Sequence, residues 1–256
     1  MKIIITALVL VLTFPVLAQD SLYQKKTFQA SNGLSLPYRL LLPPDYDPHK
    51  KYPLVLFLHG AGERGSDNEK QLTHGASLFL TDENRKDFPA IVVIPQCPAD
   101  NYWGNVTIDR STSPFTISFD YSKPETTALG AAIELVKKFI SEEGVNKKRV
   151  YITGLSMGGM GTFEAVYRYP KLFAAAAPIC GGGDAPRYTK QAAKVPFWIF
   201  HGDKDVVVNV KESQTMVAKL KSLKASVKYT EYGGVNHNSW VNAFAEPDFM
   251  KWLFSY

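Results

Sequence analysis

A serine flanked by glycines lies where a strand pattern gives way to a helix pattern. The segment Gly154-Leu155-Ser156-Met157-Gly158 follows the apolar run 150–153 and opens a helical segment. This context distinguishes a nucleophile elbow from a chance Gly-x-Ser-x-Gly match, because the sharp turn lifts the hydroxyl clear of the sheet at the positive end of a helix. Bulky residues two positions before and after the serine would clash, which accounts for Gly154 and Gly158. We predict that Ser156 is a catalytic nucleophile.

A serine hydroxyl is a poor nucleophile without a base, and residue order along the chain selects the histidine. Of the five histidines, only His201 and His237 follow Ser156. In this arrangement the acid follows a later strand and the histidine comes last. His237 ends the loop 233–237, whose glycines let it return over the serine. We therefore predict His237 as the base and interpret His201 as a structural residue of a turn.

Two carboxylates in the segment His201-Gly202-Asp203-Lys204-Asp205 compete for the role of orienting the base. Asp203 directly follows a tight turn and is expected to cap backbone amides there. Asp205 is expected to point across toward the last loop. We favour Asp205 and keep Asp203 as the alternative, since a carboxylate in this role holds the imidazole in the correct tautomer.

Acyl transfer also requires N–H donors aimed at the developing oxyanion. The glycine-rich segment His59-Gly60-Ala61-Gly62 directly follows the apolar run 54–58 and supplies a candidate loop. We predict that the backbone N–H groups of Ala61 and Met157 form the oxyanion hole. His59 precedes the serine and follows a different strand, so we interpret it as a residue that braces this loop by hydrogen bonding.

The remaining pattern indicates how these residues are held in place. From residue 51 onward, short apolar runs alternate with helical segments, which is typical of a mostly parallel sheet covered by helices on both faces. An antiparallel pair around Asn32-Gly33 is expected at one sheet edge. The stretch 96–123 exceeds ordinary connection lengths and is expected to be a functional loop or a partly ordered insertion. The predicted strands are 54–58, 90–94, 150–153, 174–178, 197–200 and 227–232, and the predicted helices are 124–143, 157–168, 210–223 and 238–254.

The first residues indicate export. Lys2 precedes an almost wholly apolar stretch, 3–17, and Ala18 is a small residue suited to cleavage. The stretch is shorter than the roughly 20 apolar residues that a membrane span needs. We predict a signal peptide over residues 1–18, one catalytic domain over residues 19–256 and a secreted or periplasmic protein.

Charge and cysteine content narrow the possible functions of the protein further. The formal net charge of +5 is spread over the chain without a long basic run, so nucleic acid binding is not indicated.

The two cysteines, Cys97 and Cys180, could pair in an oxidising compartment. They are expected at the ends of two strands that two others separate, which is too far for a disulfide at ~4.8 Å per strand unless the loops fold inward. The sequence leaves their pairing open, and we interpret both as structural.

Several segments together resemble the α/β-hydrolase superfamily over essentially the whole mature chain. They are Leu42-Pro43-Pro44-Asp45-Tyr46, the loop 59–65, Pro95-Gln96-Cys97-Pro98, the segment 154–159 and His237-Asn238-Ser239-Trp240. As a set they look like the bacterial branch that groups feruloyl and acetyl-xylan esterases with polyhydroxybutyrate-depolymerase-like enzymes and with proteins often labelled predicted peptidases.

The resemblance implies an eight-stranded α/β-hydrolase fold and carboxylic-ester hydrolysis by the triad, with no metal or organic cofactor. The implied substrate is a small ester or an ester linked to a polysaccharide, with a feruloyl or acetyl group as the acyl part. Trp103, in the long loop, either forms an aromatic wall for such a group or packs for stability. Trp240, three residues after His237, either lines the pocket or anchors the last helix.

Two other functions stay open. Serine peptidases of the prolyl-oligopeptidase type share this residue order, but they usually carry a large gating domain. Removal of 18 residues from 256 leaves 238, too few for a second domain of that kind. A non-catalytic carbohydrate-binding protein on the same fold is disfavoured by the intact serine, acid and histidine.

Overall fold

The computed structural model describes residues 22–142 and 144–256, so the predicted signal peptide lies outside the described residues. The strands are β1 (Gln24–Gln29), β2 (Ser35–Leu41), β3 (Tyr52–Leu58), β4 (Ile91–Pro95), β5 (Val106–Asp109), β6 (Thr116–Phe119), β7 (Val145–Leu155), β8 (Ala175–Ile179), β9 (Phe197–Gly202) and β10 (Val227–Tyr232). The α-helices are α1 (Asp82–Asp87), α2 (Thr127–Glu142), α3 (Met157–Arg168), α4 (Val210–Ser222), α5 (Trp240–Phe244) and α6 (Phe249–Leu253).

Eight of these strands form one sheet in the order β1-β2-β4-β3-β7-β8-β9-β10. Strand β2 pairs antiparallel with both of its neighbours, and all pairs from β4 to β10 are parallel. The predicted hairpin around Asn32-Gly33 supplies the antiparallel edge. The predicted α/β-hydrolase fold, with a mostly parallel eight-stranded sheet, is confirmed.

Alternation along the central strands divides the core between the two faces of the sheet. In β3, Leu54, Leu56 and Leu58 join one buried cluster, together with residues of α2, α3 and α4. Val55 and Phe57 join the other, together with residues of α5 and α6. Because successive side chains of a strand point to opposite faces, a short, wholly apolar strand can fill both layers. The helices therefore cover both faces, as the sequence predicts.

The C-terminal segment differs from its prediction as one helix over 238–254. It forms two short helices, α5 and α6, separated at residues 245–248. Pro247 lies in this gap, and proline lacks the N–H that a continuous helix would need there. The break allows α6 to turn back under the sheet, where Phe249 and Leu253 are buried.

The long stretch 96–123 is a partly ordered insertion. It contains the two-stranded antiparallel sheet β5-β6. The segment contacts the loop after β9 through a hydrogen bond from the backbone N–H of Phe115 to the carbonyl of Val207 at 3.0 Å. Within residues 22–142 and 144–256, no helix combines the length and the apolar character needed to cross a bilayer.

Cys97 and Cys180 follow β4 and β8, and the two strands β3 and β7 lie between these in the sheet. Both cysteines are buried and free. Burial raises the pKa of the Cys97 thiol to about 12 and also raises that of Cys180, so neither has the lowered pKa of a reactive cysteine.

Candidate active site

The turn between β7 and α3 holds Ser156 in a conformation that few residues with a side chain adopt. Its φ is +54° and its ψ is −115°, and a positive φ is uncommon for residues other than glycine. A Cβ on Gly154 would come within 2.6 Å of the Gly158 carbonyl oxygen, and a Cβ on Gly158 within 1.9 Å of the Leu58 carbonyl oxygen. Both positions therefore require glycine, and the elbow fits against β3 only because they lack side chains.

Ser156, His237 and Asp205 form a hydrogen-bonded series at the C-terminal ends of the strands. His237 Nε2 lies 2.9 Å from Ser156 Oγ, and His237 Nδ1 lies 2.7 Å from Asp205 Oδ2. Because an ionised carboxylate only accepts, the proton of a neutral imidazole belongs on Nδ1. Nε2 is then free to accept the serine proton, which is the requirement for general-base activation of a hydroxyl.

The Asp205 carboxylate is held by donors on every side. Its Oδ1 accepts from the backbone N–H groups of Val207 at 2.8 Å and Val208 at 2.9 Å, and His201 Nε2 lies 3.2 Å from its Oδ2. Burial by itself favours the neutral acid, but the hydrogen bonds from His201, His237 and Val207 outweigh it and hold the pKa of Asp205 well below its usual range. The carboxylate is therefore ionised at neutral pH and available to stabilise an imidazolium.

Asp203 occupies a different place. Its Oδ1 accepts from the backbone N–H of Gly234 at 2.6 Å, and the N–H of Lys204 donates to the carbonyl of Val235 at 3.0 Å. These contacts fasten the loop after β9 to the loop that carries His237. Asp203 thus caps a backbone amide, as expected for the alternative carboxylate, although the amide belongs to the last loop and not to its own turn.

The predicted oxyanion donors both begin helices. Met157 is the first residue of α3, and Ala61 is the first residue of a short 3-10 helix, Ala61–Glu63. The first N–H groups of a helix have no acceptor in a preceding turn. The N–H groups of Ala61 and Met157 are therefore free to donate to an acceptor that enters the site. Their role as the oxyanion hole stays a prediction.

His59 braces the loop between β3 and this 3-10 helix, as interpreted from its position. Its Nδ1 donates to the Gly60 carbonyl at 2.6 Å, and its Nε2 accepts from the Cys97 N–H at 2.9 Å. The ring ties the ends of β3 and β4 together below Ala61. Burial lowers the pKa of His59 from 6.5 to about 4, so the ring is neutral when it makes these two bonds.

This shift predicts a loss of folding stability in mild acid. His59 in the unfolded chain takes up a proton near pH 6.5, whereas the folded protein resists protonation until about pH 4. Neutral, buried His59 therefore contributes about 3 kcal/mol to the free energy of unfolding. This contribution is fully present above pH 6.5 and is lost as the pH falls from 6.5 through 4. We expect the urea-derived free energy of unfolding of wild type to fall over this interval, and that of His59→Gln to start lower and fall less. His49→Gln, at an exposed histidine, is the control; an equal acid slope in His59→Gln and wild type would contradict the assignment.

Trp103 is not available to a substrate. The prediction that it forms an aromatic wall for the acyl group is therefore wrong, and its alternative, packing for stability, is the role that the structure shows. The side chain is fully buried, and its Nε1 donates to the His59 carbonyl at 3.2 Å. A Cβ on Gly161 would lie 2.4 Å from the Cβ of Trp103, so the tryptophan lies tightly against α3. It supports the loop of His59 from below.

Trp240 lies beside His237. Its ring centroid is 5.4 Å from that of His237, edge to face at 88°, and 5.1 Å from that of His74 on the other side. Together with His74 and Phe244 it lines a cavity of about 580 Å³. Trp240 also starts α5, so its position fits both roles predicted for it, and substrate contact stays a prediction.

Three residues near the triad were given no part in the site by the sequence. His201 contacts Asp205 as described, and its Nδ1 lies 2.7 Å from the Ser213 hydroxyl of α4. Cys180 and Ser239 are fully buried below the triad. Sequence proximity was the available signal for two of them, because His201 stands four residues before Asp205 and Ser239 two residues after His237. Cys180 follows a different strand, β8, and only the fold brings it close.

The chain is similar to known carboxylesterases in sequence and in fold. The model of the phospholipase/carboxylesterase family matches residues 46–249. Over 195 residues the chain is 28% identical to "Probable carboxylesterase SOBER1-like" of Arabidopsis thaliana, covering 72% of each protein. It is 34% identical over 185 residues to "Bifunctional acetylxylan esterase/xylanase XynS20E" of Neocallimastix patriciarum, covering 72% of this chain and 24% of that one.

Among solved structures, a thermostable esterase aligns with a TM-score of 0.83 at 38% sequence identity, covering 93% of this chain and 64% of that chain. The chain therefore spans less than two thirds of that esterase.

Proposed function

The chain belongs to the phospholipase/carboxylesterase family of α/β-hydrolases, and from this premise we propose that it is an exported serine esterase that removes feruloyl or acetyl groups from plant polysaccharides. The observation that carries the mechanism is the hydrogen-bonded series of Ser156, His237 and Asp205 on a strained elbow. A signal peptide over residues 1–18 and a catalytic domain over residues 19–256 belong to the same proposal.

The reaction runs in two halves. Ser156 Oγ attacks the ester carbonyl while His237 Nε2 takes its proton, and Asp205 stabilises the imidazolium. The tetrahedral oxyanion lies on the N–H groups of Ala61 and Met157, each worth roughly 3 kcal/mol of the barrier. The imidazolium protonates the leaving alcohol, and water activated by the same His237 then releases the acid and restores Ser156.

The acyl preference is supported by three observations. The sequence resembles feruloyl and acetyl-xylan esterases, and one relative is named an acetylxylan esterase/xylanase. Trp240 places an aromatic ring next to His237, and such a ring suits an aromatic acyl group or a sugar. Ser156 is partly exposed, which suits an ester on the surface of a polymer better than a substrate that must be enclosed.

A matched substrate panel tests this function. Wild type is assayed with methyl ferulate, 4-nitrophenyl acetate, acetylated xylan and a prolyl anilide, with Ser156→Ala as the background. We expect hydrolysis of the esters and little hydrolysis of the anilide, because an ester expels a better leaving group than an amide. The ratio of kcat/KM for ferulate to that for acetate then identifies the acyl group.

The same panel separates the two alternatives. Preference for the anilide would make the protein a serine peptidase. Absence of turnover, together with absence of labelling by a fluorophosphonate that reacts with active serines, would make it a non-catalytic binding protein.

A further inference from the structure

Three side chains that carry possible metal-ligand atoms converge beside Ser156. One atom each from Cys180 (Sγ), Asp205 (a carboxylate oxygen) and His237 (a ring nitrogen) all lie within 4.8 Å of one another. They follow three successive parallel strands, β8, β9 and β10, so the fold brings them together from separate parts of the chain. Sulfur, imidazole nitrogen and carboxylate oxygen are the donor atoms that Zn²⁺ takes in proteins.

A fourth polar group at the same place, the Ser239 hydroxyl, makes no well-formed hydrogen bond among the described residues. Ser239 is fully buried, and its hydroxyl lies beside the Cys180 thiol. No acceptor or donor among the described residues meets hydrogen-bond geometry with its Oγ. A buried hydroxyl in this state costs free energy, and it adds a fourth polar atom beside the three ligand atoms.

We propose that this cluster is an inhibitory site for a thiophilic divalent cation, with Cys180, Asp205 and His237 as its ligands. Bond lengths of about 2.0–2.3 Å to a tetrahedral Zn²⁺ place ligand atoms about 3.3–3.8 Å apart. The Sγ contacts must therefore shorten by up to about 1 Å, whereas the 2.7 Å bond between His237 and Asp205 must lengthen and break. Metal binding and the catalytic arrangement thus exclude each other.

The proton balance explains why the bound state is inactive. Cys180 binds as thiolate and releases one proton to solvent. His237 binds through Nδ1, so its ring proton moves to Nε2. Nε2 then presents an N–H to Ser156 and can no longer accept the serine proton. The cation in this site is an inhibitor and not a cofactor of the reaction.

Zn²⁺ inhibition tests the site with a matched pair of cysteines. Each protein is incubated with Zn²⁺, assayed with 4-nitrophenyl acetate, and compared with its own rate after EDTA. At a Zn²⁺ concentration about ten times the dissociation constant, wild type is expected to keep roughly a tenth of its activity and to recover it with EDTA. Cys97→Ala, which removes the other buried thiol, should respond like wild type. Cys180→Ala should need at least about 10–100 times more Zn²⁺.

Equal sensitivity of Cys180→Ala and wild type, or no inhibition of wild type, overturns the proposal. This assay rests on the proposed esterase function, so a second measurement is independent of it. Co²⁺ bound to a thiolate gives a sulfur-to-metal charge-transfer absorption, expected in wild type and Cys97→Ala and absent in Cys180→Ala. Its absence in wild type also overturns the site, whether or not the protein hydrolyses esters. If Cys180→Ala fails to fold, Cys180→Ser preserves the size of the side chain and serves in both measurements.

Discussion

Replacement of Ser156 by alanine is expected to lower kcat for ester hydrolysis about 10⁶-fold, equivalent to about 8 kcal/mol of barrier. The nucleophile is lost, and no other hydroxyl takes its place at 2.9 Å from His237 Nε2. The measurement is the steady-state rate with 4-nitrophenyl acetate, together with the loss of fluorophosphonate labelling. Alanine keeps the Cβ, so the backbone strain at φ +54° is the same in both proteins and the melting temperature should change little.

The loss should also be non-additive. Ser156 and His237 act as a unit, so His237→Ala alone is expected to cost about as much as Ser156→Ala, and the double variant little more. A Ser156→Ala protein that retains a substantial fraction of wild-type activity would place the nucleophile elsewhere. An additive double variant would show that the two residues act in separate steps.

The sequence predicts the features that depend on local pattern. The central strands each contain a short apolar run, although β7 begins five residues before the predicted run 150–153 with the mostly polar stretch 145–149. The elbow is a contiguous motif whose glycines have a steric cause. Residue order along the chain was enough to bring His237 and Asp205 to Ser156, because parallel strands deliver their C-terminal ends to the same edge of the sheet.

Features that depend on contacts distant in sequence were less accessible. Nothing near Trp103 shows that its ring would be buried against α3, since this depends on Gly161, 58 positions later. The proximity of the buried Cys180 to Asp205 and His237 has the same origin, because it follows β8 and the other two follow β9 and β10. The split of the last helix, by contrast, has a local cause in Pro247, which the prediction of a helix over 238–254 did not take into account.

Replacement of Asp205 by asparagine is expected to lower kcat about 10⁴-fold at neutral pH. The surroundings of the carboxylate determine the orientation of the new amide. The N–H groups of Val207 and Val208 both donate to Oδ1, so the amide oxygen takes that position and the NH₂ group faces His237. His237 must then accept at Nδ1 and carry its proton on Nε2, where it blocks the proton transfer from Ser156. The charge that stabilises the imidazolium is lost as well.

Asp203→Asn is the matched control for this prediction. It removes one negative charge two residues away, yet its amide oxygen can still accept from the Gly234 N–H. We expect its kcat to stay within a few-fold of wild type, while the melting temperatures of the two variants show that both are folded. Equal losses in the two variants would mean that the effect comes from net charge near the site. A larger loss in Asp203→Asn would make Asp203 the orienting acid. Only a loss confined to Asp205→Asn supports the interpretation that this carboxylate fixes the tautomer of His237.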